Sequence, residues 1–230
     1  MEWKSNPEKE CVRTVEGRAY ARLPVSTPVI RQGDDLAAIA RAWAMPYWEE
    51  GDLLFLSEKA VACSQGRAIP LEQIAPSALA RFLSRFVRRQ PGGIGLAMPE
   101  TMEMALQECG RGRVLLAAAA AGLCKLVGVR GVFYRITGTK ARAIDGPCSY
   151  TLPPYDRCVV LAPDRPNDAA KALWEALGTP VVIIDANDRG VNILGCAGCA
   201  LSPALLEKIF ADNPLGQSRE QTPMGILRAL

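Results

Sequence analysis

The sequence predicts an α/β protein, and three observations carry that prediction. Residues 53–56 and 181–184 are short apolar runs of the kind that form strands buried on both faces. Residues 158–184 alternate strand, helix and strand, the pattern of a βαβ unit. The chain has 230 residues, 49% hydrophobic and 22% charged, a composition that folds around a substantial core and is too apolar for a disordered chain. One unit spanning 1–230 accommodates these elements; the alternative is two lobes with a boundary near 140–150.

The elements follow in order. Gly51-Asp52 precedes the apolar strand 53–56, and a second apolar stretch runs from Ser57-Glu58-Lys59 to Cys63, ending at Gln65-Gly66-Arg67. Pro76-Ser77 opens a helix to about Arg89, with Leu79, Phe82, Leu83, Phe86 and Val87 at helical spacing. Pro91-Gly92-Gly93 breaks the chain. The alanine-rich segment 113–124 reads as a buried helix, because its apolar run is well short of the roughly 20 residues a membrane span needs. Residues 129–136 read as a strand. Residues 158–161 are a strand and 163–166 a turn, Asn167 caps a helix over 168–177, and Gly178 ends it. The strand 181–184 is therefore central, and ligands in such sheets gather beyond the carboxyl ends of the strands.

Composition excludes several chemistries. There is no histidine, so acid–base work and metal binding fall to Asp, Glu, Lys, Cys or Tyr. A net charge of +3 spread along the chain does not point to nucleic acid. The N-terminal MEWKSNPEKE has no apolar signal core, so a cytoplasmic location, away from membranes, is expected. Eight cysteines include one C-x-x-C, Cys196 to Cys199. No second pair supplies the other ligands of a structural zinc site, and a redox dithiol is the remaining reading there. Neither a G-x-x-x-x-G-K-[ST] loop nor a G-x-G-x-x-G fingerprint occurs, so any nucleotide is held by a non-standard loop together with metal.

The richest polar cluster is Asp185-Ala186-Asn187-Asp188-Arg189-Gly190, just past the central strand. Its carboxylates and amides suit a hard cation such as magnesium or manganese. The competing reading is a turn in which Asp and Asn satisfy their own backbone. Asp145, leaving an apolar step into Gly146-Pro147, has the same two readings. Lys59 and Arg67 follow the first strand and can neutralise phosphate, or stand as solvated charges. Lys125 interrupts a strongly apolar stretch, where a buried or cleft lysine would be unusual. Arg81, Arg85, Arg88 and Arg89 share one helical face and read first as a solvated surface.

Five segments resemble, in the right order, those of the coenzyme F-420-0:L-glutamate ligase family. They are residues 51–67, 143–145, 159–170, 181–198 and 212–217. The resemblance implies an uncommon α/β fold, an α+β arrangement on a mixed sheet, that forms an intertwined homodimer. It implies a ligase that joins L-glutamate, or a similar amino acid, to a carboxylate acceptor. The reaction consumes GTP (or ATP) and needs magnesium or manganese. Carried over by position, Asp145, Asp185, Asp188 and Gln217 bind metal. Ser57, Lys59, Gln65, Gly66 and Asn187 hold nucleotide or phosphate, and Lys125 contacts substrate. The chain departs from the pattern where Gly146-Pro147-Cys148 follows Asp145, where Ala186 follows Asp185, and where Asp188 takes a glycine position. These departures mark a divergent branch, and a relative that binds ligand without ligase activity is the alternative reading.

Overall fold

The computed structural model describes residues 4–87, 95–126, 128–129, 131–187 and 190–230. In chain order its elements are β1 (Val12–Val15), β2 (Arg18–Val25), α1 (Leu36–Trp43), β3 (Leu53–Ser57) and α2 (Glu58–Ser64). There follow β4 (Ala68–Pro70), α3 (Ala78–Ser84), α4 (Pro99–Cys109), α5 (Arg111–Leu126), α6 (Val132–Thr137), α7 (Thr139–Arg142) and β5 (Cys158–Val160). The chain closes with α8 (Pro166–Leu177), β6 (Val181–Asn187), β7 (Gly190–Ala197), α9 (Pro203–Ile209) and β8 (Met224–Ala229). It divides into two compact units, residues 1–66 with 163–230, and residues 67–162. Segment 140–150 lies inside the second unit. Among the described residues no helix is long and apolar enough to cross a membrane.

The first unit is built on a mixed sheet in the order β1-β2-β8-β3-β6-β7. β3 and β6 are parallel, and the other neighbours are antiparallel. The two apolar runs read from sequence are thus adjacent central strands, with Leu54, Leu56, Val181 and Ile183 as buried as Phe55, Val182 and Ile184. Alternation along each strand sends these two sets to opposite faces. Phe55, Val182 and Ile184 share one core with Leu206 and Ile209 of α9 and with Phe210, whose ring centroid lies 4.6 Å from that of Phe55. α8 packs against β6 and β7. Its approach is so close that a Cβ on Gly195 would sit 2.4 Å from the Pro166 carbonyl oxygen.

Several expectations are corrected here. The strand that pairs in parallel with β6 is β3, not the strand at 158–161. β5 pairs antiparallel with β4 in the second unit, so the crossover between parallel strands includes the whole second unit. Sequence proximity suggested the wrong partner because register is set by burial, which a local pattern does not reveal. β6 also runs on to Asn187 and turns back as β7 (Asn187 pairs with Gly190), so Asp185 lies within a strand and not in a loop beyond it.

The second unit has a core of Ala80, Leu83, Leu96, Met102, Ala105, Leu106, Val114, Ile144, Val159 and Leu161. Ser77 caps α3 by accepting from the Ala80 amide at 3.2 Å. Its own amide and hydroxyl donate to Glu103 Oε2 at 2.9 and 2.5 Å. Burial pushes the Glu103 carboxyl up, but the Ser77 hydrogen bonds outweigh it and hold the group below its usual range. α3 ends at Ser84, and Arg88, Arg89 and Gly92 to Ile94 lie outside the described residues.

Two readings of the second unit change. The segment expected as a strand at 129–136 forms α6, between Gly131 and Gly138 in positive-φ conformations. Phe133 and Tyr134 pack from it onto the core, so tertiary packing overrides their strand preference. The alanine-rich helix α5 is not buried throughout: Val114 and Ala117 are enclosed, whereas Leu116 and Leu123 are 63% and 69% exposed.

Candidate functional site

One edge of the first unit gathers the polar residues that the apolar sheet would otherwise exclude. β3 ends there at Ser57, in register with Ile184 of β6; Glu58 then opens α2, while β6 continues through Asp185 to Asn187. β8 begins at the same edge, where the Ser57 amide donates to the Pro223 carbonyl at 2.9 Å. Ser57 caps α2 by accepting from the Ala60 amide at 3.2 Å. Lys59 is exposed one step further on, and Glu58 is only 9% exposed. Asp185 is half-buried and accepts from Asn192 Nδ2 at 3.4 Å across the β6–β7 hairpin. Asn187 is exposed at the end of that strand. Asp188 lies outside the described residues.

Glu58 was missed by sequence reasoning, which valued Ser57 and Lys59 on either side of it. The signal was available: a carboxylate directly after a fully apolar strand is costly to bury without a partner. Gln65 and Gly66 end the same short helix, roughly 10 Å along its axis from Glu58 at 1.5 Å per residue. The Gln65 side chain donates to the Asp164 carbonyl at 2.9 Å and accepts from the Asp164 amide at 2.7 Å, so it fastens the chain where it re-enters this unit.

The segment before β8 carries Gln217, which is exposed. Its turn is tied down from distant parts of the sequence. Arg22 on β2 is fully buried and donates from Nη1 to the Ile209 carbonyl at 3.0 Å and from Nη2 to Asp212 Oδ2 at 3.1 Å. A further short contact joins Nη1 to Asp212 Oδ1, and Arg13 reaches the same oxygen at 3.1 Å. Asn6 donates to the Pro214 carbonyl and to the Thr222 hydroxyl, both at 2.9 Å. Thr222 in turn donates to the Leu215 carbonyl at 2.8 Å. Burial pushes the Asp212 carboxyl up, yet the Arg22 hydrogen bond and charge overcome this and hold it below the ordinary carboxylate range.

In the second unit Asp145 forms a backbone bridge with Val160, with both N–H···O distances at 2.9 Å. The apolar step Ala143-Ile144 therefore leads into an extension of the small sheet before the Gly-Pro turn. Lys125 is exposed in the last turn of α5, because that side of the helix is not covered. The +3 charge is not evenly spread. The second unit holds thirteen Lys and Arg against six Asp and Glu, a net of +7, and the first unit fourteen against eighteen, a net of −4.

The sheet edge supplies oxygen donors, an ammonium and a hydroxyl, a set that suits a hard divalent cation and phosphate oxygens. Among the described residues no three His, Cys, Asp or Glu side chains are grouped to hold a metal ion. A magnesium-type site fits that limit, because magnesium typically takes one or two carboxylates and completes its shell with water and substrate phosphates.

A family model described as F420-0:Gamma-glutamyl ligase matches residues 24–225. No curated protein matches the chain.

Proposed function

We propose a function from one premise: this chain belongs to the F420-0:gamma-glutamyl ligase family. It is a ligase that uses GTP or ATP and a divalent metal to form an amide between a carboxylate acceptor and L-glutamate or a similar amino acid. The observation that carries the reading, beyond the family, is that Glu58 and Asp185 each follow directly on the Ser57–Ile184 pair that closes the parallel β3–β6 ladder. Asp185 and Glu58, with the amide oxygens of Asn187 and Gln217, would hold magnesium or manganese, which when bound neutralises phosphate charge and orients the nucleotide. Lys59 and the Ser57 hydroxyl contact phosphate oxygens. An acceptor carboxylate oxygen attacks the terminal phosphorus, and the nucleoside diphosphate leaves. The amino group then attacks the acyl phosphate and expels phosphate. Positioning and charge neutralisation do most of this work, so the absence of histidine is no obstacle. In the second unit Asp145 is the position to which the resemblance assigns metal binding, and Lys125 the one assigned to substrate. The net +7 of that unit favours the approach of anionic substrates.

The test is to incubate the protein with F420-0, L-glutamate, GTP or ATP, and magnesium or manganese, and to follow product mass and phosphate release. The expected product gains one glutamyl residue, with one phosphate released per amide. Binding of the acceptor without nucleotide cleavage would instead identify a non-catalytic relative.

The exposed apolar side of α5 (Leu116 and Leu123) supports the homodimer. Light scattering on the purified chain should give twice the monomer mass, and Leu123→Glu should shift it toward monomer. A monomeric wild type across micromolar concentrations would remove the dimer from the account.

A further inference from the structure

We propose that Cys196 and Cys199 form a reversible dithiol–disulfide pair that exchanges with low-molecular-weight disulfides. This inference is independent of the ligase reading. β7 ends at Ala197, and Gly198 follows at φ +69°, a left-handed conformation that favours glycine. A Cβ there would lie 2.5 Å from Trp174 Nε1 and 2.8 Å from its Cδ1, so the bend is also pinned against α8. The bend returns Cys199 to the strand that Cys196 pairs with: Cys196 lies opposite Val182 of β6, and the Cys199 thiol donates to the neighbouring Val181 carbonyl at 3.9 Å. Both cysteines are only partly buried, and they pack at the margin of the α9 core, so a small oxidant can reach them while the backbone around them stays fixed. A zinc site needs further ligands, and no such group occurs among the described residues.

The exchange runs in two steps. The Cys196 thiolate attacks one sulfur of R–S–S–R, that S–S bond breaks, and one R–S⁻ leaves. The Cys199 thiolate then attacks the Cys196 sulfur and expels the second R–S⁻. The protein loses two protons and two electrons, and the oxidant becomes two thiols. Burial and the neighbouring thiol push Cys199 well up from the usual thiol range, which fits its place as the second attacker.

The test uses the full chain, equilibrated in mixtures of glutathione and glutathione disulfide, then alkylated and mapped by mass. The peptide holding residues 196–199 should lose two hydrogens on oxidation and regain them with dithiothreitol. Cys199→Ser should stop at a glutathione adduct on Cys196, which the wild type does not retain. Free thiols at both positions in fully oxidised buffer would overturn the proposal. So would a lasting adduct on wild-type Cys196, or a bond from Cys196 to any other cysteine.

Discussion

Asp185→Asn is expected to abolish metal-dependent turnover, by on the order of 100-fold or more, with little change in stability. The substitution keeps the volume and one oxygen of the side chain and removes its charge. The half-buried side chain accepts a long hydrogen bond from Asn192, which an amide oxygen also accepts. The backbone of the strand is fixed independently by Val181, Val182, Ile183 and Ile184, all fully enclosed. The melting temperature should therefore stay within about 2 °C of wild type, the shift expected for roughly 0.5 kcal/mol in a chain of this size. Steady-state assays at saturating magnesium or manganese, run beside a thermal melt, separate the two effects. Retained turnover, or a large fall in melting temperature, would remove Asp185 from the metal site.

Asp212→Ala has the largest expected effect on stability. It strands the Arg22 guanidinium, which is 0% exposed, without its main anionic partner. Breaking such a buried pair from one side costs about 3–5 kcal/mol, which corresponds to roughly 6–20 °C in melting temperature. The pH dependence has a definite sign. Because Arg22 holds the folded-state pKa of Asp212 below its ordinary value despite burial, the pair's contribution is present above the unfolded value of about 3.9. It is lost as pH falls through the lower folded value. Urea melts at neutral pH and under strong acid should show wild type losing this share on acidification and Asp212→Ala lacking it from the start. Superimposable melts at neutral pH would show that the pair carries no net stability. The same substitution should loosen the turn that presents Gln217, since Asp212 and Asn213 anchor that turn from one side (Asn213 Nδ2 donates to the Gly216 carbonyl at 2.7 Å).

The sequence was most legible where one local rule governs. The apolar runs at 53–56 and 181–184 are central strands because no polar residue interrupts either face. α8 ends at Gly178 as the sequence suggests but begins at Pro166 behind Arg165, so Asn167 lies inside the helix and does not cap it; α5 follows its helix-forming alanines. The readings that failed are those decided over distance. Which strand lies beside β6 depends on burial across more than one hundred intervening residues, so β5 was a plausible but wrong neighbour. Phe133 and Tyr134 favour strands in isolation and become helical through packing on the core of the second unit, where α6 lies against α5. Within the candidate site, Asp185 was legible as a carboxylate directly after the apolar run 181–184, although the strand itself continues past it. Glu58 was not, because its importance lies in the parallel register of β3 with β6. Nor was the Arg22–Asp212 pair, whose partners are separated by 190 positions, Arg22 on β2 and Asp212 just past α9.

The most direct test of the account is a thermal-shift series with GTP and ATP, each alone and with magnesium or manganese, on wild type and Asp185→Asn. A nucleotide present at 100 times its dissociation constant adds about 2.7 kcal/mol, or roughly 5–11 °C for a chain of this size. The account predicts a rise of that order that needs nucleotide and metal together and disappears in Asp185→Asn. A melting temperature unmoved by every nucleotide–metal pair, or a full shift retained in Asp185→Asn, would contradict it.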